Sequence, residues 1–361
     1  MEIEQYLRQK EKHLEKGMSR IRDFRVFDFN YIPERPLMRR ELQPVLDALL
    51  RYQKTGIANH LLVFGSRGSG KTLSVKYLQR LFRDRGLSVL YANCRSHNTS
   101  FKVLASLLQV RPRGTSLEEL WHAFTRSYPG KLVLVLDEVD LLSEKDRNKD
   151  ILYLVSRSQE NYMALLLSNS PKFLSQLDES VRSTLQPEVV HFRNYSAPEV
   201  QAILEDRARH GLATVATSVL AKIAALTTRN TNSDARVAIK ALYYSALEPR
   251  VPVEEHFERA RRDILSDILS DLNDKNLLIL KAAIDDPGKH VKGVYERYRR
   301  LSVEAKEEPF SYVYFYSNLS YLQSLGLILL VSTKVNRTYT NRIQPLFGPE
   351  ALSQVWRVRF G

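Results

Sequence analysis

A chain of 361 residues, 43% of them hydrophobic, is long enough for two or three domains and apolar enough to fill their cores, which excludes wholesale disorder. Its 54 lysines and arginines against 41 acids leave a formal charge of +13, which points to a polyanionic partner, the alternative being a basic surface kept for solubility alone. No apolar run approaches the ~20 residues that span a bilayer and no signal-peptide core is expected, so nucleic acid stands ahead of a membrane.

The single Cys94 excludes an internal disulfide and suits a reducing cytoplasmic interior, and the eight histidines show no zinc-binding spacing. Residues 1–26 mix Lys, Arg and Glu with few large apolar residues and read as a solvated helix or mobile tail. Pro33 and Pro36 then force an extended path through Tyr31 to Leu37, ahead of a helix reaching about Tyr52. That segment either folds over a nucleotide base or simply packs.

Leu61 to Phe64 are consecutive apolar residues, the pattern of a short buried strand. Gly65, Ser66, Arg67, Gly68, Ser69, Gly70, Lys71 and Thr72 follow it, matching the phosphate-loop spacing G-x-x-x-x-G-K-[ST]. The glycines let backbone amides turn inward, and those amides with the positive end of the next helix make an anion site that extends to Leu73. Lys71 is placed to reach the β- and γ-phosphates and the Thr72 hydroxyl to hold Mg²⁺. The helix runs on to Arg85, where Gly86 stops it.

Ser88 to Cys94 reads as a second strand. Residues 95–114 are polar and basic, with one short helix over Phe101 to Leu108, and a further helix spans Leu117 to Tyr128 before Pro129-Gly130. The run KLVLVLDEVD, Lys131 to Asp140, is a buried strand of a parallel sheet with acids at its carboxyl end, where ligands bind in open α/β folds. Asp137 is expected to hold Mg²⁺, through water, and Glu138 to orient and deprotonate the attacking water. Ala164 to Leu167 forms another strand, after which Asn169 is placed to bond the γ-phosphate or that water. Val189 to Phe192 closes the sheet.

From Ala197 onward the pattern is helical: Glu199–Gly211, Ser218–Thr227 and Ser233–Leu247. Ser233 and Asp234 cap the last of these, which puts Arg236 in its first turn, where a cation opposes the helix dipole and an anionic partner is suspected. Helices are expected over Val253–Leu272, Asp274–Ile284, Lys289–Ala305 and Phe310–Leu325, then β-rich runs Leu327–Ser332 and Thr338–Gln344. Three helices followed by a hairpin describe a winged helix, whose third helix enters the major groove of DNA.

Taken in order, these motifs resemble the archaeal replication initiators of the origin-recognition and cell-division-control branch of the AAA+ ATPases. The likeness covers the chain from about Phe27. Its most specific marks are NYIPERPLMRRE before the phosphate loop, NCRSHNTSFKVLA after the second strand, RGTSLEEL, LDEVD and SDARVAIKAL. The resemblance implies an α/β nucleotide-binding AAA+ base over residues 27–196, a helical lid over 197–272 and a winged-helix domain over 273–361.

It also implies ATP or ADP with Mg²⁺, hydrolysed slowly as a conformational switch. Lys71 and Thr72 would bind phosphate and metal, Asp137 and Glu138 form the Walker B pair, Asn169 act as sensor 1 and Arg236 as sensor 2. Tyr31, Ile32, Pro33 and Arg35 lie where the family lines its adenine pocket. Arg111 and Arg113 lie in the basic insert that touches DNA in initiators. The implied partners are double-stranded origin DNA, an MCM-type replicative helicase and other initiator paralogues.

This sequence departs from the family at two places. Where members often carry a finger arginine, Ser180 stands, leaving Arg182 as the candidate finger. The recognition helix, FSYVYFYSNLSYLQSL, has no Lys or Arg, which moves the expected phosphate grip to Arg297, Arg299 and Arg300 before it and to Lys334, Arg337 and Arg342 of the wing. A helicase or clamp loader, and a DNA-binding regulator merely ordered by nucleotide, remain as alternatives.

Overall fold

The computed structural model describes residues 3, 4, 7, 11, 15, 17–111, 113–143, 146, 149–335 and 338–361. The chain forms two compact units, residues 32–194 and residues 1–31 with 195–361. Arg337 of the expected wing grip lies outside the described residues.

In the unit of residues 32–194 the elements follow as α1 (Leu42–Thr55), β1 (Leu61–Gly65), α2 (Lys71–Arg83), β2 (Ser88–Asn93), α3 (Ser100–Leu107) and α4 (Leu117–Ser127). They continue as β3 (Leu132–Asp137), α5 (Asp150–Ser156), β4 (Met163–Ser168), α6 (Glu179–Leu185) and β5 (Glu188–Phe192). The strands make one parallel sheet in the order β2-β3-β4-β1-β5. Parallel strands are covered on both faces, which is why β3 and β4 are buried along their whole length and apolar up to their last residues, Asp137 and Ser168.

Side chains alternate between two cores, as a period of two requires. Val133, Val135, Met163 and Leu165 pack with Val45, Leu49 and Tyr52 of α1 and Val75, Leu78 and Phe82 of α2. Leu134, Leu136, Ala164 and Leu166 pack on the other face with Val103 and Leu104 of α3, Leu120 and Phe124 of α4, and Ile151 and Leu152 of α5. The amphipathic α4 opens with a capping box, in which Ser116 accepts from Glu119 N–H at 3.1 Å and Glu119 accepts from Ser116 N–H at 2.7 Å.

The other unit is helical, with α7 (Ala197–Gly211), α8 (Thr217–Asn230), α9 (Ala235–Leu247) and α10 (Val253–Ser270). Into it is built the end of the segment expected to be a solvated tail. The backbone N–H groups of Arg22 and Asp23 donate to Gly211 O, Val26 is fully buried, and a Cβ on Gly211 would collide with the Val26 side chain. Arg207, buried in α7, donates to the carbonyls of Val26 and Asp28 and lies 4.9 Å from the centre of the Tyr31 ring. Few apolar residues are needed to hold such a segment when a buried guanidinium collects its carbonyls.

The chain continues with α11 (Asp274–Asp285), α12 (Val291–Glu304), α13 (Tyr312–Ser324), the antiparallel hairpin β6 (Ile328–Val335) and β7 (Thr338–Pro345), and α14 (Pro349–Phe360). Leu278 and Leu280 of α11, Val294 and Tyr298 of α12, Phe315 and Leu319 of α13 and Ile343 of β7 are all fully buried, the three-helix-plus-hairpin core of a winged helix. Tyr298 accepts from Phe310 N–H at 3.0 Å, which fixes the connection into α13. Helix α14 was not foreseen. It buries only Leu352 and Val355, too narrow a stripe to announce itself, and it is tied down by Arg359, which donates to Asp274 at 3.1 Å and to Ser270 O at 3.0 Å. Among the described residues no helix is long and apolar enough to cross a membrane.

Tyr52 staples the first unit. Its hydroxyl accepts from Leu132 N–H at 2.8 Å and lies 3.0 Å from Asn161 O, joining α1 to the starts of β3 and β4. Tyr52→Phe should leave those buried backbone groups unpaired and lower the stability of this unit by about 1–3 kcal/mol. Hydrogen exchange of the β3 amides in the full chain measures it, faster exchange being the expected result.

Candidate functional site

The phosphate loop, Gly65 to Thr72, leaves the carboxyl end of β1 and delivers Lys71 to the first turn of α2. Two of its glycines, Gly68 at φ 76° and Gly70 at φ 85°, occupy left-handed backbone that other residues resist. Gly65 answers a different constraint: a Cβ there would fall on the Phe192 carbonyl of the neighbouring β5. The loop is anchored at its start by the Ser66 hydroxyl bonded to Asn194.

Lys71 is buried, and its ammonium donates to Gly65 O at 2.8 Å, Ser66 O at 2.9 Å and Asn169 Oδ1 at 3.0 Å. Burial pulls its pKa down to about 8, against the opposing pull of Asp137, Asp140 and Glu138. Thr72 Oγ1 donates to Asp137 Oδ2 at 2.8 Å, and Tyr91 OH donates to the same oxygen at 2.7 Å. Burial raises the Asp137 carboxyl above its ordinary range, although these hydrogen bonds work the other way.

Glu138 follows with φ 52°, a left-handed conformation costly for a side-chain-bearing residue. Arg95 forks onto it, Nε to Oε2 at 3.0 Å and Nη2 to Oε1 at 3.3 Å, with Asn93 Nδ2 at 3.4 Å. Asn169 is positioned by Asp140, whose Oδ1 accepts from Asn169 N–H at 3.0 Å and from Ser168 Oγ at 2.9 Å. The structure therefore brings Lys71, Thr72, Asp137, Glu138 and Asn169 together at the carboxyl end of the sheet. Among the described residues, Ser69 Oγ and Asp140 Oδ2 are buried there with no hydrogen-bond partner, as befits a site built to receive a polar group.

Arg39 belongs to this site and was not foreseen. It is buried at 5% exposure, donating from Nη1 to Ser69 O at 3.1 Å and from Nη2 to Arg193 O at 2.9 Å. It thus ties the phosphate loop to the chain beyond β5. Nothing local separates Arg39 from Arg40, which is exposed. Of the residues expected around an adenine, Pro33 is buried, Ile32 half-buried and Arg35 exposed, while Tyr31 groups with the helical unit.

Within the helical unit, Arg236 occupies the first turn of α9 and its guanidinium chelates the capping Asp234, Nε to Oδ1 at 3.0 Å and Nη2 to Oδ2 at 2.5 Å. That pairing offsets the dipole penalty that made the residue conspicuous in the sequence. Arg297 is partly buried and pairs with Asp285 at 3.3 Å. Arg299 and Arg300 on α12, Lys334 and Arg342 on the hairpin, and Arg111 and Arg113 after α3 are exposed. Arg182 is exposed on α6. The helix expected in the basic insert is α3, and its apolar face is core rather than a free surface.

A five-stranded parallel sheet carrying this loop and acid pair, with a winged helix further along the chain, defines an AAA+ ATPase. The family model described as an AAA domain matches residues 55–177. The chain is 30% identical to ORC1-type DNA replication protein 1 of Sulfurisphaera tokodaii, over 79% of this chain and 77% of that one. It is 28% identical to ORC1-type DNA replication protein 15 of Haloarcula marismortui, over 83% of each. The solved structure of the Aeropyrum pernix ORC1 protein in complex with DNA superposes with a TM-score of 0.69 at 25% identity, covering 94% of this chain and 98% of that one. The chain belongs to the archaeal ORC1/Cdc6-type AAA+ ATPases.

The depressed pKa of Lys71 gives nucleotide binding a pH dependence with a definite sign. Below about pH 8 the ammonium is present to meet phosphate; above it, binding must first restore the proton. ATP affinity, titrated at pH 7 and pH 9, should fall at the higher pH by up to about tenfold.

Proposed function

We propose that this chain is a replication initiator that binds double-stranded origin DNA and is switched between states by ATP and ADP. One observation carries the reading: at the carboxyl end of the sheet Lys71 donates to Asn169 at 3.0 Å and, beside it in the loop, Thr72 donates to Asp137 at 2.8 Å. The Thr72 hydroxyl and Asp137 carboxylate are hard oxygen donors of the kind Mg²⁺ takes. Mg²⁺, when bound, neutralises charge on the β- and γ-phosphate oxygens.

Lys71 exchanges its carbonyl partners for phosphate oxygens, keeping its proton by the charge it meets. Asn169, held by Asp140, offers its amide to the γ-phosphate or the attacking water. Glu138 accepts the proton of that water at a carboxylate oxygen, for which its contacts with Arg95 and Asn93 must loosen. That requirement supports slow hydrolysis. Ile32, Pro33 and Arg35, with Tyr31, are proposed to line the base, and Arg236 to sense the nucleotide.

The DNA reading is supported by the winged helix, by the net charge of +13, and by the DNA complex of the Aeropyrum pernix relative. Arg111, Arg113, Arg299, Arg300, Lys334 and Arg342 are proposed as its phosphate contacts, with Arg297 as a lesser one because Asp285 engages it. The role implies an MCM-type helicase and initiator paralogues as partners, and a place at the nucleoid.

Lys71→Ala should lose ATP binding while retaining DNA binding; unchanged nucleotide affinity would refute the site assignment. Glu138→Gln should bind ATP normally and hydrolyse it about a hundredfold or more slowly, as loss of a general base predicts. Wild-type turnover in single-turnover assays of that variant would remove Glu138 from the role.

A further inference from the structure

Helix α13 occupies the position of a recognition helix, yet the side chains that read guanine or adenine through paired hydrogen bonds are absent from it or already engaged. Guanine is read by Arg or Lys, and residues 310–325 contain neither. Adenine is read by the paired oxygen and nitrogen of Asn or Gln. Asn318 spends its amide on Tyr314 O at 2.9 Å, and Gln323 Oε1 accepts from Leu330 N–H at 2.9 Å.

Three of its tyrosines make packing or hydrogen-bond contacts, although Tyr312 and Tyr314 stay exposed at 44% and 38%. Tyr312 stands edge-on to Tyr295 with ring centres 5.1 Å apart, Tyr314 meets Phe310 in the same way at 4.6 Å, and the Tyr316 hydroxyl accepts from Asn341 of β7 at 2.7 Å. The last bond also fixes the hairpin to the helix, so that α13 and the wing form one surface.

Between Tyr312 and Tyr314, Val313 stands out from this packing with 80% of its surface exposed. It is the second residue of α13, and the N-terminal residues of a recognition helix are those that reach base edges. Its two methyl groups are large, rigid and apolar, and the major groove offers one apolar group, the C5 methyl of thymine. The charge pattern fits such a reader, because cations on α12 and the hairpin flank an uncharged helix, suiting phosphates around a base-reading centre.

We propose that Val313 reads thymine methyl groups in the major groove, so that α13 selects T·A pairs by apolar contact and not by hydrogen bonding. The proposal rests on the DNA-binding reading above and names the feature of the duplex that this helix selects. Val313 is a specificity residue here, with the affinity left to the surrounding cations.

The test begins by selecting duplexes from a random pool with the full-length protein and ATP, then replacing each thymine of the selected site by deoxyuridine, which removes only the methyl. At one or two positions the replacement should weaken wild-type binding about fourfold, the worth of one buried methyl group. Val313→Ala should still bind the thymine duplex but lose that discrimination, its affinities for the two duplexes becoming equal. Wild-type binding that ignores every uridine replacement overturns the proposal while leaving DNA binding intact, and so does undiminished discrimination in Val313→Ala. Failure to select any duplex removes both the DNA reading and this one. Equal and unchanged binding by wild type and variant on every duplex would instead hand the exposed valine to a protein partner.

Discussion

A buried ammonium at the carboxyl end of a parallel sheet is the constraint from which the nucleotide site follows. Lys71 has lost most of its water, and a desolvated cation must be repaid with oriented oxygens. Two come from the carbonyls of Gly65 and Ser66 and a third from Asn169, so the ends of β1 and β4 must lie side by side. Register supplies this: Phe64 of β1 pairs with Ser168 of β4, and Gly65 pairs with Phe192 of β5. Gly65 cannot carry a Cβ because that pairing places the Phe192 carbonyl where one would sit. The uninterrupted apolar strands and the two cores that cover them are, in this sense, the means of holding one lysine in place.

The acids of the site meet the same demand from the other side. Asp137 is buried and shares one oxygen between the Thr72 and Tyr91 hydroxyls, while Glu138 has a left-handed backbone and is held by Arg95. A carboxylate stabilised by hydroxyls can trade them for a metal ion. A carboxylate held by a guanidinium acts as a base only when released. On the proposed reading, binding and hydrolysis would draw on different states of two adjacent residues, an arrangement suited to a switch.

What could be read in the sequence was what depends on neighbours along the chain. The phosphate loop, the acid pair, the sheet strands and the winged-helix order are local patterns of spacing and period, and residues from Gly65 to Thr72 and at 137, 138 and 169 assemble as read. What could not be read depends on distant partners. Arg39 looks like its neighbour Arg40 until Ser69 and Arg193 are brought to it. The end of the charged N-terminal segment looks solvated until Arg207 collects its carbonyls. Arg236 seemed to oppose its helix dipole, and Asp234, two residues earlier, turns out to chelate it. Helix α14 hides because two buried residues do not make a period.

The central claim is that one nucleotide site governs one DNA site, and footprinting tests it most directly. Purified protein on fragments of chromosomal DNA, with ATP and with ADP at two salt concentrations, should protect a discrete sequence, differ in strength between the nucleotides, and weaken with salt as several phosphate contacts require. Weak binding spread over all fragments, identical in both nucleotides, would contradict the account and favour a loader or regulator that reaches DNA through a partner.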